Sequence, residues 1–314
     1  MFVAAIQFPD IDPYVFPPIP AFELFGAEIG PLGLRWYALA YIAGLVLGWL
    51  MIRHLMRRGR LFPGGEAPMA PEKTDDLLFV MTLGVVLGGR LGFTLFYSPE
   101  LIWENPMQIL RIWEGGMAFH GGMLGVILGV IWFSRANNVP LLSLGDAVAV
   151  VTPIGLLFGR IANFINAELW GRVTDQPWGV VFPTVEGVAQ SLLRSEDRGY
   201  QLFGQELLAT VGQPRHPSQL YEGALEGALL LGVLAWLAYR TSALKCPGFC
   251  TGVFLIGYGL ARGTVEFWRQ PDILKNTEFL GMEITRGQLL SLPMIFAGAA
   301  FVYYAQSRAR AAAA

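Results

Sequence analysis

The chain has 314 residues, 54% of them hydrophobic and 15% charged, with a formal net charge of −2 and a mean hydropathy of +0.48. Ordinary soluble domains carry about 25% charged residues, so this composition predicts an integral membrane protein. The net charge says nothing about nucleic acid, but no basic run is long enough to bind it, and two cysteines, Cys246 and Cys250, exclude a disulfide framework.

The N-terminal stretch MFVAAIQFPDIDPYVFPPIP has neither the basic n-region nor the uninterrupted apolar run of a signal peptide. Its prolines and the acids Asp10, Asp12 and Glu23 predict an irregular surface segment that stays on the mature protein. Apolar runs long enough to cross a bilayer follow at about 36–52, 76–97, 117–133, 144–165, 219–239, 249–268 and 287–305. The expected fold class is therefore an all-α polytopic membrane protein of about seven transmembrane helices, a single integral membrane domain over 1–314. Residues 169–217, between spans four and five, are too long for a simple connection and read as a small extracytoplasmic head. Trp178, Val180, Val181, Phe182, Tyr200 and Phe203 predict that it packs, partly as strand.

Arg53, Arg57, Arg58, Arg60 and Lys73 in the first connection, Arg135 in the third, Arg240 and Lys245 in the fifth, and Arg308 and Arg310 in the tail all fall on one side. The positive-inside rule makes that side cytoplasmic and places the N-terminus outside.

The polar residues within the spans then collect in one leaflet. Tyr37 opens span one from the outside, Arg90 in GRLGFTLF lies in the outer half of span two, and His120 in EGGMAFHGGMLG opens span three. Span four ends in GRIANFINAELWG, which carries Arg160, Asn163, Glu168 and Gly171. On a helix wheel Arg160, Asn163, Ala167 and Gly171 share a face, with Glu168 to one side. One arginine at a helix centre costs roughly 3 kcal/mol, so Arg160 faces a bundle interior tied to carbonyls, or binds a ligand. His216 and Glu222 open span five. On span six Tyr258, Arg262, Glu266 and Arg269 form a polar stripe. Glu266 neutralises one arginine and leaves the other for an anion, or the stripe is a structural ion-pair network. His120 among glycines is a structural helix start or a catalytic base, and His216 a helix-entry residue or a site member. His54 reads as solvated. Cys246 and Cys250 read as packing residues, and no metal site is expected. Polar groups through the midplane, which an ion pathway needs, are not evident.

GRIANFINAELWG resembles the signature of the bacterial prolipoprotein diacylglyceryl transferases. The resemblance extends through IDPYVF, LRWYALAY, GGRLGF, EGGMAFHGGMLG, RHPSQLYE and RGTVEFWRQPD, from about Ile11 to Asp272, and is least over 184–212. It implies a seven-span inner-membrane enzyme whose site faces the periplasm. Such enzymes transfer the sn-1,2-diacylglyceryl group from phosphatidylglycerol to the lipobox cysteine thiol in a preprolipoprotein signal peptide, the first step of lipoprotein maturation, and release glycerol phosphate without a cofactor. Carried over by position, the functional residues are Tyr37, His120, Arg160, Asn163, Glu168, Gly171, Tyr258, Arg262 and Glu266. Ala38 and Ala162 depart from the family pattern without touching a polar group.

The chemistry fits these residue types. A thiol of pKa about 8.5 needs a base near neutral pH, and His120 is the candidate. Charge gathers on the leaving phosphate, which Arg160 and Arg262 can hold by forked hydrogen bonds, with partial acidic compensation from Glu168 and Glu266. Tyr37, Asn163 and Glu168 would orient the headgroup, with Arg90, Gly171, Tyr258 and Glu266 alongside. Two other classes stay open, a different phospholipid-headgroup transferase and a non-enzymatic lipid-binding or transport protein.

Overall fold

A computed structural model of the chain describes residues 5–24, 27–29, 33–111, 115–271, 277–279 and 282–313. Glu114 and Asp272, at the ends of two motifs quoted above, lie outside the described residues.

The architecture is helical, and helices stand at all seven expected positions, six of them, among the described residues, long and apolar enough to cross a membrane and one shorter. They are α1 (Trp36–Met56), α2 (Lys73–Tyr97), α3 (Phe119–Ala136), α4 (Leu141–Ile165), α7 (Ser218–Arg240), α8 (Phe249–Val265) and α9 (Arg286–Ala313). Two shorter helices, α5 (Val185–Leu193) and α6 (Arg198–Leu208), belong to the stretch between α4 and α7. Six of the spans reach 18 residues of apolar character, and α8 has 17. The chain is a multi-pass membrane protein.

Two compact units divide the chain, and most long helices contribute to both. The first comprises Met1–Val46, Thr152–Ala235 and Gly252–Ala300. The stretch between α4 and α7 is more helical than the sequence suggests. Strand is confined to β4 (Val180–Val181), which pairs in parallel with β1 (Ile6–Gln7), the two other short pairs being β2–β3 (Phe22–Leu24, Ala27–Ile29) and β5–β6 (Thr277–Phe279, Met282–Ile284). Ala167, Trp170, Val180, Phe182, Val185, Ala189 and Leu207 form the head's buried core, with Phe8, Phe164, Leu192 and Phe203 packed against it. The N-terminal segment is thus part of the head through Phe8, whose ring lies 5.4 Å from that of Phe164 and 5.5 Å from that of Phe182. Asp197 caps α6 by accepting from the N–H groups of Gly199 and Tyr200, an interaction worth about 1 kcal/mol.

The second unit comprises Leu47–Val151, Trp236–Thr251 and Phe301–Ala314. Here α2 packs along α3 through small residues, and a Cβ at Gly125 would overlap the Gly84 carbonyl. Lipid offers no hydrophobic drive between helices, so close backbone approach is what gives this pair its packing energy. Asp146, fully buried, accepts from the N–H groups of Gly248 (2.8 Å) and Thr251 (2.7 Å) and from the Thr251 hydroxyl (2.8 Å). It satisfies the orphan donors at the start of α8 where water is absent.

Candidate active site

In the first unit α4 stops at Ile165, and the signature continues as a turn. Ala167 and Leu169 adopt φ of +53° and +57°, a conformation that residues with a Cβ keep only where neighbours enforce it. The neighbours are identifiable. Gln219 Nε2 donates to the Glu168 carbonyl at 2.6 Å, Ser218 Oγ to the Leu169 carbonyl at 3.0 Å, and Thr184 Oγ1 to the Ala167 carbonyl. This corrects the helix-wheel expectation, because Ala167 and Gly171 do not extend the Arg160–Asn163 face once the helix has ended. Glu168 instead folds back. Its N–H donates to the Asn163 carbonyl at 3.0 Å, and its carboxylate accepts from Asn163 Nδ2 at 3.4 Å. The same amide donates to the Tyr37 hydroxyl, so α1, α4 and the turn meet at one polar junction.

Gly171 lies where three segments cross. Its N–H donates to the His216 carbonyl at 2.8 Å, and it bridges to Arg269. A Cβ would stand 2.5 Å from the Trp268 carbonyl oxygen and 2.7 Å from His216 Cβ, an approach that only glycine permits. Arg215 braces this crossing. It is 1% exposed, its Nη1 lies 3.3 Å from both the Gly171 carbonyl and Gln270 Oε1, its Nη2 donates to Thr210 Oγ1, and its guanidinium stacks on Trp170 at 4.4 Å. Burial pulls its pKa down to about 10. His216, whose Nδ1 is 3.1 Å from the Tyr221 hydroxyl, is lowered from the usual imidazole value, also by burial.

The centre of the site is an ion cluster drawn from α4, α7 and the end of α8. Arg160 Nη1 lies 2.9 Å from Glu222 Oε2, and its Nη2 lies 3.3 Å from Glu226 Oε2. Arg262 pairs with Glu222 and, at 2.5 Å, with Glu266. Arg269 Nη1 reaches Glu222 Oε1 at 2.8 Å. Compensation therefore comes from Glu222 and Glu226 as well as the expected Glu266, with no ion pair to Glu168 among the described residues, and the expectation of partly uncompensated arginines is corrected. Their placement depends on a π-helical turn over Gly223–Leu229 inside α7, a wider i→i+5 turn of the kind found at functional sites. Gly227 within it presses on Leu157 of α4, where a Cβ would be 2.7 Å from the Leu157 Cβ. The side chains of Arg160 and Arg262 keep 16% and 15% exposure, whereas those of Glu222 and Glu226 keep none. The cations form the accessible face and the carboxylates lie behind. Tyr258, one turn before Arg262, stacks on Phe254 at 6.0 Å.

The structure thus brings together Tyr37, Arg160, Asn163, Glu168, Gly171, Tyr258, Arg262 and Glu266 within one unit. Glu226 escaped the sequence reading, although a lone acid in the apolar run GALEGALLLGVL is the kind of residue that signals an intramembrane pairing.

His120 and Arg90 belong to the second unit. His120 is exposed at the second position of α3, its ring edge-on to Phe119 at 5.7 Å. Arg90, 5% exposed, donates from Nε to the Ile109 carbonyl (2.9 Å), from Nη2 to that of Gln108 (2.5 Å), and from Nη1 to those of Gly115 (2.5 Å) and Gly116 (3.2 Å). Its fork is engaged with main chain on both sides of the segment leading to α3.

The family model described as prolipoprotein diacylglyceryl transferase matches residues 25–304. A protein of Rhizobium meliloti named phosphatidylglycerol–prolipoprotein diacylglyceryl transferase is 47% identical over 99% of this chain and 97% of its own length. One of the same name from Ruegeria pomeroyi is 50% identical over 97% of this chain and 98% of its own, and one from Bradyrhizobium diazoefficiens is 46% identical over 94% and 96%. With the signature turn, the arginine face and the buried carboxylates in place, these matches make the chain a member of the prolipoprotein diacylglyceryl transferase family.

Proposed function

We propose that this chain transfers the diacylglyceryl group of phosphatidylglycerol to the lipobox cysteine thiol of a preprolipoprotein, with the phosphate held at Arg160 and Arg262. The observation that carries the site assignment is the layering of the ion cluster, accessible guanidinium groups in front of fully buried carboxylates. In the reaction the thiolate sulfur bonds to the glycerol carbon of the diacylglyceryl group, and the bond from that carbon to the phosphate oxygen breaks. The electron pair leaves with glycerol phosphate. Guanidinium groups already fixed by Glu222, Glu226 and Glu266 need no reorganisation as that charge develops, which is where preorganised electrostatics lowers a barrier. Arg262 and Arg160 hold the phosphate as forks, Tyr37, Asn163 and Glu168 orient the headgroup, and His120 accepts the thiol proton. Arg90 acts through the segment it clasps.

The protein resides in the bacterial inner membrane with its N-terminus and the 169–217 head periplasmic and its C-terminus cytoplasmic, an orientation that the basic first connection and tail support. Reporter fusions at the C-terminus and in the Gly59–Pro68 connection should read cytoplasmic and one near Asp197 periplasmic, and a reversal at any of them overturns the orientation. The function is tested by incubating the purified chain with phosphatidylglycerol and a lipobox peptide. A thioether-linked diacylglycerol on the peptide cysteine is the expected product. Consumption of the lipid without a thioether would instead favour another headgroup transferase, and no consumption a lipid-binding protein.

A further inference from the structure

Within the site, the ion pairs among the described residues join three guanidinium groups, of Arg160, Arg262 and Arg269, to three carboxylates, of Glu222, Glu226 and Glu266. A cluster so balanced has no surplus positive charge for an anionic headgroup. A phosphodiester that enters it leaves one negative charge in excess, in a place from which water is largely excluded, and excess buried charge is relieved most directly by a proton.

The three carboxylates are not equally placed to accept one. Glu222 is shared by three arginines and Glu266 is held by Arg262 at 2.5 Å. Glu226 is fully buried, touches one guanidinium at 3.3 Å through Oε2, and its Oε1 is buried with neither a hydrogen bond nor an ion pair among the described residues, whereas Glu222 Oε2, also without a hydrogen bond, has Arg160 at 2.9 Å. The charged and titratable groups facing it are Arg160 of α4, Glu222 on its own helix, and Arg262 and Tyr258 of α8. When a phosphate draws Arg160 toward the accessible side, Glu226 loses its nearest counter-charge while Glu222 keeps Arg262 and Arg269. An unpartnered carboxylate oxygen is also where an O–H can be accommodated without breaking an existing bond.

We propose that Glu226 takes up a proton when the anionic headgroup binds, so that lipid binding and protonation of this carboxylate are linked. The inference rests on the reading that Arg160 and Arg262 hold the phosphate. Linkage makes the dissociation constant for the lipid rise about tenfold per pH unit over the range in which the free carboxylate is ionised and the bound one is not.

The test is calorimetric titration of the full chain in detergent with short-chain phosphatidylglycerol, in two buffers of different ionisation heat near neutral pH. About one proton should be taken up per lipid bound by the wild type, and Glu226→Gln should bind lipid with none and with a flat pH profile. Infrared difference spectra of wild type carrying 13C-labelled glutamate should gain a protonated carboxyl band on lipid binding, a measurement that does not depend on the variant folding. Absence of that band, buffer-independent binding by wild type, or wild-type proton uptake in Glu226→Gln overturns the proposal. The Arg160→Gln protein separates the two readings. If it loses lipid binding while the wild type takes up no proton, the phosphate site stands and the role of Glu226 falls. Unchanged binding and uptake in Arg160→Gln overturns both.

Discussion

Arg160 and Glu222 meet at 2.9 Å with unequal exposure, 16% for the arginine side chain and none for the carboxylate. The pair is therefore a cation fixed from behind, with one face partly exposed. Lysine would keep the charge but lose the planar fork that spans Glu222 and Glu226 behind it while facing a phosphate in front. Arg160→Lys and Arg262→Lys should each lower single-turnover thioether formation by about 10²-fold or more, with a smaller effect on lipid affinity, because the charge to be stabilised develops in the transition state. Wild-type rates in both folded variants would make these arginines structural.

The other side of the same pair gives a stability prediction. Glu222 serves Arg160, Arg262 and Arg269 at once, and breaking a buried pair by removing one partner costs about 3–5 kcal/mol because the remaining charge is left uncompensated. Glu222→Gln should lower the thermal unfolding temperature of the detergent-solubilised protein far more than Glu186→Gln, an exposed change in the head. Equal unfolding temperatures for the two would show that the cluster tolerates the unbalanced arginines.

How much of this was legible in the sequence differs by element. The spans were, because stretches of 17 or more mostly apolar residues leave the chain few alternatives to helix in lipid. Arg160, Arg262 and Glu266 stood out as charges in apolar runs. The pairing was not legible, because it depends on the π-helical turn at Gly223–Leu229, and a local change in helical pitch leaves no periodic trace in the residues. The end of α4 was misjudged for a related reason. Ala167 and Leu169 are ordinary helix formers, and contacts 49 and 51 residues away, from Ser218 and Gln219, hold the turn that contains them. WGVVF suggested strand, yet only Val180–Val181 of it forms a strand, and the core it joins is completed by α5 and α6 (Val185, Ala189, Leu207) together with Ala167 and Trp170 of the turn after α4.

Arg90 offers a prediction of a different kind. Its three guanidinium nitrogens donate to the carbonyls of Gln108, Ile109, Gly115 and Gly116, so Arg90→Lys should loosen this segment before it unfolds α2. Amide hydrogen exchange should speed up at 108–110 and 115–118 with little change at 77–85. Unaltered exchange in the segment, together with lost activity, would return Arg90 to a direct role with the lipid.

His216 gives the chain a local acid sensitivity. Burial lowers its folded pKa below the unfolded value of about 6.5. The unfolded state then binds the proton more readily, so the stability that neutral His216 contributes is present above about 6.5 and is lost as pH falls toward the folded pKa. Thermal unfolding of wild type should drop more steeply than that of His216→Gln below that pH. Parallel curves for the two proteins would exclude the linkage.

In the proposed mechanism His120 takes the thiol proton. Its imidazole is exposed at the start of α3 and rests against Phe119, which leaves its ring nitrogens open to a substrate thiol. At neutral pH only a few per cent of a free thiol of pKa about 8.5 is ionised, so a base there is worth a factor of about 10²–10⁴. His120→Asn should lose turnover by about that factor with little loss of phosphatidylglycerol binding. The deficit should shrink as pH approaches the thiol pKa, since hydroxide and solvent then supply the thiolate without the side chain. A deficit that stays constant across pH would assign His120 to holding the substrate instead of taking its proton, and near-normal turnover at neutral pH in the folded variant would remove it from the mechanism. Measuring lipid affinity and turnover on the same protein separates these outcomes, because a base alters the rate of thioether formation and a headgroup ligand alters both.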